Sequence, residues 1–412
     1  MIQRTPKVYG VFSLPVIVGA LGFFVDVYDL LLFSIIRKPS LASLNLSPEE
    51  ILSKGELIIS IQMIGLLLGG VIWGIMGDKK GRLSVLFGSI LLYSLANIFN
   101  GMVHTVPQYV LMRFLAGVGL AGELGASITL VSEMLPKEKR GIAASVIAVV
   151  GVMGAITAFF VYEAFQDWRL CFYIGGGMGL LLLVLRANIM ESGMFAEVKE
   201  SGVTRGSFIF LFSKKERALR YLKGVLIGLP VWYAIGILVT FSDKFGKEFG
   251  IDGVDPGKAI MFQYIGIAFG DLSAALISNY FKSRKKALYL FFGILSVCTI
   301  LYFLQGIFPG TPQTMYLLCI GLGFGAGFSV LYITMSAEQF GTNLRASTAI
   351  SIPNVVRGML PLIILLHKGL RNLTGNYVTG GWLTGILIML IAVWAAWHTK
   401  ESFAKDMNFL EE

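Results

Sequence analysis

Charged residues are scarce in this sequence, and their scarcity excludes most soluble proteins. They make up 14% of the 412 residues, against about 25% in a typical soluble chain. Hydrophobic residues make up 55%, and the mean hydropathy is +0.75. A soluble enzyme, a nucleic-acid-binding module and a secreted disulfide scaffold are therefore excluded. The composition indicates a polytopic membrane protein.

Cysteine and histidine are also rare, with three residues of each. Cys171, Cys298 and Cys319 fall in apolar stretches without metal-binding spacing or a disulfide pattern, so we expect small buried side chains. We accordingly predict no metal and no cofactor. The formal net charge of +9 is expected to orient loops at a membrane rather than to bind nucleic acid.

Long apolar stretches fill most of the chain. A membrane-spanning helix needs about 20 mostly apolar residues, and twelve candidates predict an all-α fold. The first is too long for the core of a cleaved signal peptide and lacks a cleavage site, so we expect it to stay in the membrane. The candidates, numbered span 1 to span 12, are residues 11–36, 57–77, 84–103, 108–134, 141–163, 169–188, 221–242, 258–281, 287–306, 313–337, 347–367 and 380–398.

Lysine and arginine set the expected orientation. If the N-terminus is cytoplasmic, roughly two thirds of the 34 basic residues lie in cytoplasmic segments, which is the bias that fixes topology. Both termini are therefore predicted to be cytoplasmic. The predicted organisation is an N-terminal six-helix bundle (1–188), a cytoplasmic loop (189–220), a C-terminal six-helix bundle (221–398) and a cytoplasmic tail (399–412).

Two patterns recur in the second half of the chain at nearly the same separation. Residues 64–70 correspond to residues 265–271. Glu133 and Arg140 correspond to Glu338 and Arg345, with six residues between the members of each pair. These repeats indicate a duplicated six-helix unit, which is the architecture of transporters that bind substrate between two halves near mid-membrane.

Gly77, Asp78, Gly81 and Arg82 stand in the turn between spans 2 and 3. Their spacing resembles the loop 2–3 signature of the major facilitator superfamily, which implies two pseudo-symmetric bundles of six helices. Gly81 permits a tight turn, and Asp78 can accept from a helix N-terminus and pair with Arg82. We predict a latch that closes the cytoplasmic side, the alternative being a solvated turn. In the second copy Asn279 replaces the acid, which predicts a weaker latch there.

Spans 1 and 4 indicate which branches of the superfamily the chain resembles. The glycine-rich stretch from Arg113 to Glu123 resembles span 4 of metabolite:proton and sugar porters, and Glu133 and Arg140 resemble the loop that follows. Residues 26–29, Asp-Val-Tyr-Asp, are similar to the helix 1 pattern of aromatic-acid, lactate-type and phosphate proton symporters. Two departures are that loop 6–7 lacks the sugar-porter form and that no acid occupies the middle of span 7.

Charged side chains within a span are costly and are functional candidates. Asp26 and Asp29 share one face of span 1, and two close carboxylates favour keeping a proton, so we predict proton coupling there. Glu123 either relays protons or bonds a neighbouring helix as a protonated acid. Arg113 lies at a depth that allows pairing with the span 1 acids. It either binds an anionic substrate or forms a fixed salt bridge between helices.

The second half supplies further candidates. Asp271, in the middle of span 8, is predicted to be a gating or structural acid rather than a substrate ligand. Arg357 shares a face of span 11 with Asn354, and it either pairs with Asp271 or holds an anionic substrate. The predicted substrate-binding residues are Tyr28, Arg113, Trp232, Tyr233, Tyr332, Asn354 and Arg357, and Glu133, Arg140, Glu338 and Arg345 join the gating residues.

These features favour a secondary active transporter that couples protons to the uptake of a small anionic metabolite, a carboxylate or phosphate. One alternative is an exporter or antiporter of a cationic or neutral compound. Another is a non-transporting sensor on the same scaffold. An enzyme is disfavoured because no nucleophile–base pair or metal cluster is present. We expect a monomer in the bacterial inner membrane, with substrate, protons and lipid as partners and no nucleic acid.

Overall fold

The computed structural model describes residues 13–80, 82–122, 137–191 and 211–403. Within these ranges the chain forms α-helices and one π-helix, with no strand. Eight of the described helices are long and apolar enough to cross a membrane. Three shorter apolar helices lie in spans 3, 4 and 5, and span 11 is divided into two helices. The twelve-helix fold predicted from the sequence is confirmed.

The helices follow the predicted order of spans. Span 1 is Leu14–Ala42, span 2 Pro48–Lys80, span 3 Arg82–Asn100, span 5 Lys137–Phe165, span 6 Trp168–Glu191, span 8 Pro256–Phe281, span 9 Arg284–Leu304 and span 12 Tyr377–Trp397. The described part of span 4 is Val106–Leu120. Span 7 comprises Lys215–Tyr233, the π-helix Ala234–Val239 and Ser242–Glu248; span 10 comprises Pro312–Ala326 and Ser329–Glu338; span 11 comprises Thr342–Gly358 and Leu360–Thr374.

Several helices run past the apolar stretches that predicted them. Span 6 continues to Glu191 and span 7 begins at Lys215, so helix enters the segment 189–220 from both ends. Span 2 begins at Pro48 with acidic residues in its first turn. Acidic side chains are stabilised there by the positive end of the helix dipole. Hydropathy cannot locate such ends, because a polar helical turn outside the membrane core has no apolar signal.

The internal repeat is visible in helix packing. Span 2 packs on span 4 through Gly65, where a Cβ atom would overlap the Phe114 carbonyl oxygen. Span 8 packs on span 10 in the same way through Gly266 and the carbonyl of Ile320. Small residues allow such close helix contact in a membrane. The two halves thus use corresponding glycines for corresponding contacts.

The first turns of spans 4 and 10 have the same capping structure. Thr105 and Thr311 each form a capping box, the first with Gln108 and the second with Thr314. Each box satisfies main-chain N–H groups that a helix start leaves without partners. Matching caps fix both spans at corresponding positions in the two halves.

The two halves meet near the ends of the spans that the charge bias predicts to be extracellular. Gly257, at the start of span 8, lies against Ile35 of span 1 and Phe159 of span 5. Nearer the middle, Gly358 of span 11 lies against Leu67 of span 2. These contacts close the predicted outer side of the interface between the halves.

Candidate functional site

Asp29 and Arg113 lie together in the interior of the N-terminal half, and both are fully buried. The Arg113 guanidinium donates to the side-chain oxygen of Asn97 and, at 3.5 Å, to the main-chain carbonyl of Asp29. Its Cζ lies 4.7 Å from the centre of the Phe172 ring. The structure therefore joins spans 1, 3, 4 and 6 around one buried positive charge.

The carboxylate of Asp29 is not the hydrogen-bond acceptor in this cluster. Neither of its oxygens has a hydrogen-bond partner within the described ranges, although Arg113 and the Asn97 amide are its polar neighbours. No ion pair joins Arg113 to Asp26 or Asp29, all three of which the structure describes. The fixed salt bridge that the sequence left open is therefore absent in this conformation.

Asp26 and Tyr28 lie next to this cluster in span 1. The Asp26 side chain is buried, with 5% of its surface exposed. The Tyr28 hydroxyl donates to the main-chain carbonyl of Cys171 in span 6 at 2.9 Å. That bond ties span 1 to span 6, so the polar group of Tyr28 is used for packing in this conformation.

Arg357 forms the corresponding positive centre in the C-terminal half. Its side chain is half-buried, and its charge acts on the buried residues Tyr264 and Tyr332. The sequence left open a pair with Asp271, but the Asp271 carboxylate instead accepts a hydrogen bond from the Ser329 hydroxyl at 2.7 Å. Among the residues that the structure describes, no carboxylate lies within ion-pair distance of Arg357.

The other predicted substrate-binding residues occupy different surroundings. The Asn354 amide nitrogen lies 3.5 Å from the main-chain carbonyl of Ala121 in the opposite half. The Tyr233 hydroxyl donates to the carbonyl of Gly381 in span 12 at 2.8 Å, and Trp232 is buried beside it in sequence. Asn354 thus bridges the halves, whereas the hydroxyl of Tyr233 is bound within its own half.

The predicted cytoplasmic latch is described only in part. Gly77 and Asp78 belong to the last turn of the helix Pro48–Lys80, and Arg82 begins the next helix. One residue of the sequence, Gly81, separates the two helices. Gly81, Glu123 and Glu133 lie outside the described residues, and Asp78, Arg82, Arg140 and Arg345 are described by their backbone alone.

The turn between spans 8 and 9, which corresponds to the turn at Asp78, is described with its side chains and binds two acids. The Arg284 guanidinium pairs with the Glu338 carboxylate at 3.1 Å. Glu401, in the tail after span 12, accepts from the Ser283 hydroxyl and from the main-chain N–H groups of Arg284 at 3.0 Å and Lys285 at 3.2 Å. Both acids thus bind the start of span 9, next to the turn in which Asn279 takes the place of the acid of the first copy.

The protonation of Glu401 reflects these contacts. Partial burial acts to raise the pKa of its carboxyl, but hydrogen bonds from Ser283 and from the main chain of Phe403, Lys285 and Arg284 outweigh it and lower the pKa to about 2. A carboxylate at the start of span 9 is also favoured by the helix dipole. Glu401 therefore binds as an anion and fastens the tail to the bundle.

The sequence does not reveal three ion pairs that cross between the halves, and in the longest of them Lys38 of span 1 lies 3.6 Å from the Asp243 carboxylate. Arg37 of span 1, 1% exposed, pairs with Asp243 of span 7 at 2.7 Å. Glu56 of span 2 pairs with Arg371 of span 11 at 2.9 Å. We call the latter two pairs the outer clasp. The sequence signal for the outer clasp is an acid or a base at a predicted outer helix end, a pattern that a solvated residue gives as well.

Residues 19–364 match the Major Facilitator Superfamily. This chain belongs to that superfamily. It is 30% identical to the benzoate transport protein of Acinetobacter baylyi, over 81% of this chain and 78% of that protein. It is 27% identical to the niacin transporter of the same organism, over 80% of each chain. The chain is therefore a multi-pass membrane transporter and not an enzyme.

Solved structures show the same fold. The xylose transporter of E. coli, in a partially occluded inward-open conformation, superposes with a TM-score of 0.71. The alignment covers 96% of this chain and 99% of that chain at 15% sequence identity. This similarity supports the arrangement of two six-helix bundles.

Proposed function

We propose that this transporter takes up a small organic carboxylate, with an aromatic ring, together with protons. The observation that carries the proposal is the state of its two intramembrane arginines. Arg113 and Arg357 each lie within a span, and no described carboxylate forms an ion pair with either. A charge inside a membrane protein needs a partner or water. An anionic substrate would supply that partner.

The chemistry of arginine favours a carboxylate. Its planar guanidinium presents donors in a fork that matches the two oxygens of a carboxylate. The similarity to benzoate and niacin transporters supports an aromatic acid over phosphate. Tyr264 and Tyr332, near Arg357, offer ring faces against which an aromatic substrate could pack.

Asp29 is the proposed proton carrier. Its carboxylate is fully buried and accepts no hydrogen bond from the described chain, and burial of a carboxylate favours its protonated form. Arg113 lies beside it, so protonation of Asp29 would leave the arginine free to attract an anion. Proton binding and substrate binding would then favour each other.

Uptake by reconstituted vesicles tests this function. We expect accumulation of benzoate or nicotinate when an inward proton gradient is imposed, and loss of accumulation when a protonophore is added. Asp29→Asn should abolish accumulation but retain exchange of labelled for unlabelled substrate, because exchange needs no net proton movement. Asp26→Asn tests the second acid on the same helix face.

Several results of this experiment would contradict the proposed function. Accumulation that survives in both aspartate variants would show that the acids are structural. Uptake of organic cations rather than anions, or export driven by the same gradient, would replace this function by the antiporter alternative.

We further propose that the protein lies in the bacterial inner membrane with both termini in the cytoplasm.

A further inference from the structure

Gln263 of span 8 is a buried amide that the fold does not use. Its side chain has 0% exposure, and neither its amide nitrogen nor its amide oxygen has a hydrogen-bond partner within the described residues. Burying such a group without partners costs on the order of 1–3 kcal/mol. A side chain kept at that cost is expected to bond a ligand or to bond protein in another conformation.

The internal repeat gives Gln263 a counterpart, Gln62 of span 2. The main-chain carbonyl of Gln62 lies against Gly117, and that of Gln263 lies against Gly323, at corresponding helix contacts. Gln62 is also buried, but its amide donates to the Leu30 carbonyl of span 1 at 3.2 Å. One copy of this glutamine therefore stabilises its half, and the other copy is left without that bond.

The helix that contacts span 2 and the helix that contacts span 8 differ in form between the halves. Span 1 is one continuous α-helix, whereas span 7 changes to a π-helix over Ala234–Val239, a segment that contacts span 8. In that segment Thr240 bonds back to Ile235, which alters the positions of the carbonyls. π-Helical turns are frequent at functional sites.

The position of Gln263 relative to the proposed site is fixed in two ways. Gln62 bonds the residue next to Asp29, whose carbonyl holds Arg113, so its symmetry mate lies at the corresponding depth of the other half. Tyr264, the next residue along span 8, lies within reach of the charges of Arg357 and Asp271. Gln263 thus lies at the same depth along the helices as Arg113 and Arg357.

We propose that Gln263 is a specificity-determining residue that hydrogen-bonds a second polar group of the substrate. This inference rests on the proposed uptake of an aromatic carboxylate. The carboxylate goes to an arginine, while the neutral amide, with both a donor and an acceptor, recognises a ring hydroxyl or ring nitrogen. The preferred substrate class is therefore an aromatic acid with such a group, rather than an unsubstituted one.

Purified full-length protein in detergent provides the test, with Gln263→Leu and its matched control Gln62→Leu. Binding of benzoate, 3-hydroxybenzoate and nicotinate is measured by isothermal titration, and the melting temperature is measured without ligand. The wild type should bind 3-hydroxybenzoate or nicotinate more tightly than benzoate. Gln263→Leu should lose that preference, by about tenfold or more, with benzoate affinity changed by less than about threefold.

Thermal stability separates a ligand-binding role from a structural one. Gln263→Leu removes an amide without partners, so its melting temperature should equal or exceed that of the wild type. Gln62→Leu removes a formed hydrogen bond, so its melting temperature should fall while the order of ligand affinities stays the same. A fall for Gln263→Leu equal to that for Gln62→Leu, with unchanged ligand preference, would overturn the proposal.

The outcomes also separate this proposal from the proposed function. If no aromatic carboxylate binds the wild type, the function is wrong and the role of Gln263 falls with it. If all three acids bind, but Gln263→Leu weakens them equally or not at all, only the specificity role is wrong. Loss of the preference for the substituted acids in Gln263→Leu, with benzoate affinity retained, supports both.

Discussion

Arg113 is a buried positive charge that forms no ion pair with Asp29, the acid beside it. Its guanidinium donates hydrogen bonds to the Asn97 side chain and to the Asp29 carbonyl. The Phe172 ring lies against its face. A lysine has one compact charge and cannot reproduce this planar set of donors. The geometry, rather than the charge alone, therefore makes this residue suited to bind an anion.

The replacement Arg113→Lys tests that distinction. We expect anion affinity to fall by the equivalent of about 2–5 kcal/mol, with the protein still folded in the membrane, because the charge is kept while the fork is lost. Affinity and melting temperature are measured on the same purified protein. Normal affinity together with a lowered melting temperature would assign Arg113 a structural role and favour a cationic or neutral substrate.

At the scale of helices, the sequence predicts continuous apolar segments well and interruptions poorly. The twelve spans follow from length and hydropathy, because lipid requires every backbone group to be satisfied within a helix. The breaks at Ala234–Val239 and after Gly358 leave the apolar pattern almost unchanged. They depend on packing between helices, as with the Leu360 side chain beside Gly236, and hydropathy contains no such information.

The candidate site, like the helices, can be predicted from the sequence only in part. Asp29 and Arg113 are found because a charge within an apolar run is conspicuous. The outer clasp and Glu401 are missed because their charges lie in polar segments, where an ion pair and a solvated residue have the same sequence signal. Gln62 and Gln263 show a further limit, since the repeat makes their positions equivalent although, of the two, only Gln62 has a side-chain hydrogen bond within the described residues.

The tail residue Glu401 yields a prediction with a defined pH dependence. Its folded pKa of about 2 lies below the ordinary value of about 4.3, so its contribution to stability is complete above the ordinary value and is lost as the pH falls toward 2. Glu401→Gln should therefore lower the melting temperature at pH 7. The difference from the wild type should shrink below about pH 5.

Thermal melts of both proteins between pH 7 and pH 3 measure this difference. Glu248→Gln is the control, because Glu248 pairs with Lys244 on an exposed helix surface, where an ion pair contributes little. A difference between wild type and Glu401→Gln that stays constant over the whole range would show that the tail is held by something other than the carboxylate.

At the scale of the whole molecule, the outer clasp joins the halves with charges of both signs. The N-terminal half supplies Arg37 and Glu56, and the C-terminal half supplies Asp243 and Arg371. Reversal of one charge leaves two like charges facing each other, whereas reversal of both restores attraction. The clasp can therefore be tested by exchange of its members.

We expect Arg371→Glu to open the outer side and the double variant Glu56→Arg with Arg371→Glu to close it again. The single change should cost about 1–3 kcal/mol, less than the 3–5 kcal/mol of a fully buried pair, because the Arg371 side chain keeps 20% exposure. Labelling of Ser40→Cys, a buried position near the clasp, with an impermeant maleimide reports opening. Equal labelling of the single and double variants would exclude a gating role.

The latch predicted around Asp78 and the outer clasp should act on one equilibrium in opposite directions. Loss of the latch favours the state open to the cytoplasm, and loss of the clasp favours the state open to the outside, so their free-energy effects should oppose each other. Asp78→Asn should lower transport turnover and reduce labelling of Ser40→Cys, and Arg371→Ala should increase that labelling. The two changes combined should return labelling toward the wild-type level, because opposed shifts of a single two-state equilibrium cancel. Labelling in the double variant that matches Arg371→Ala alone would show that Asp78 does not act on this equilibrium.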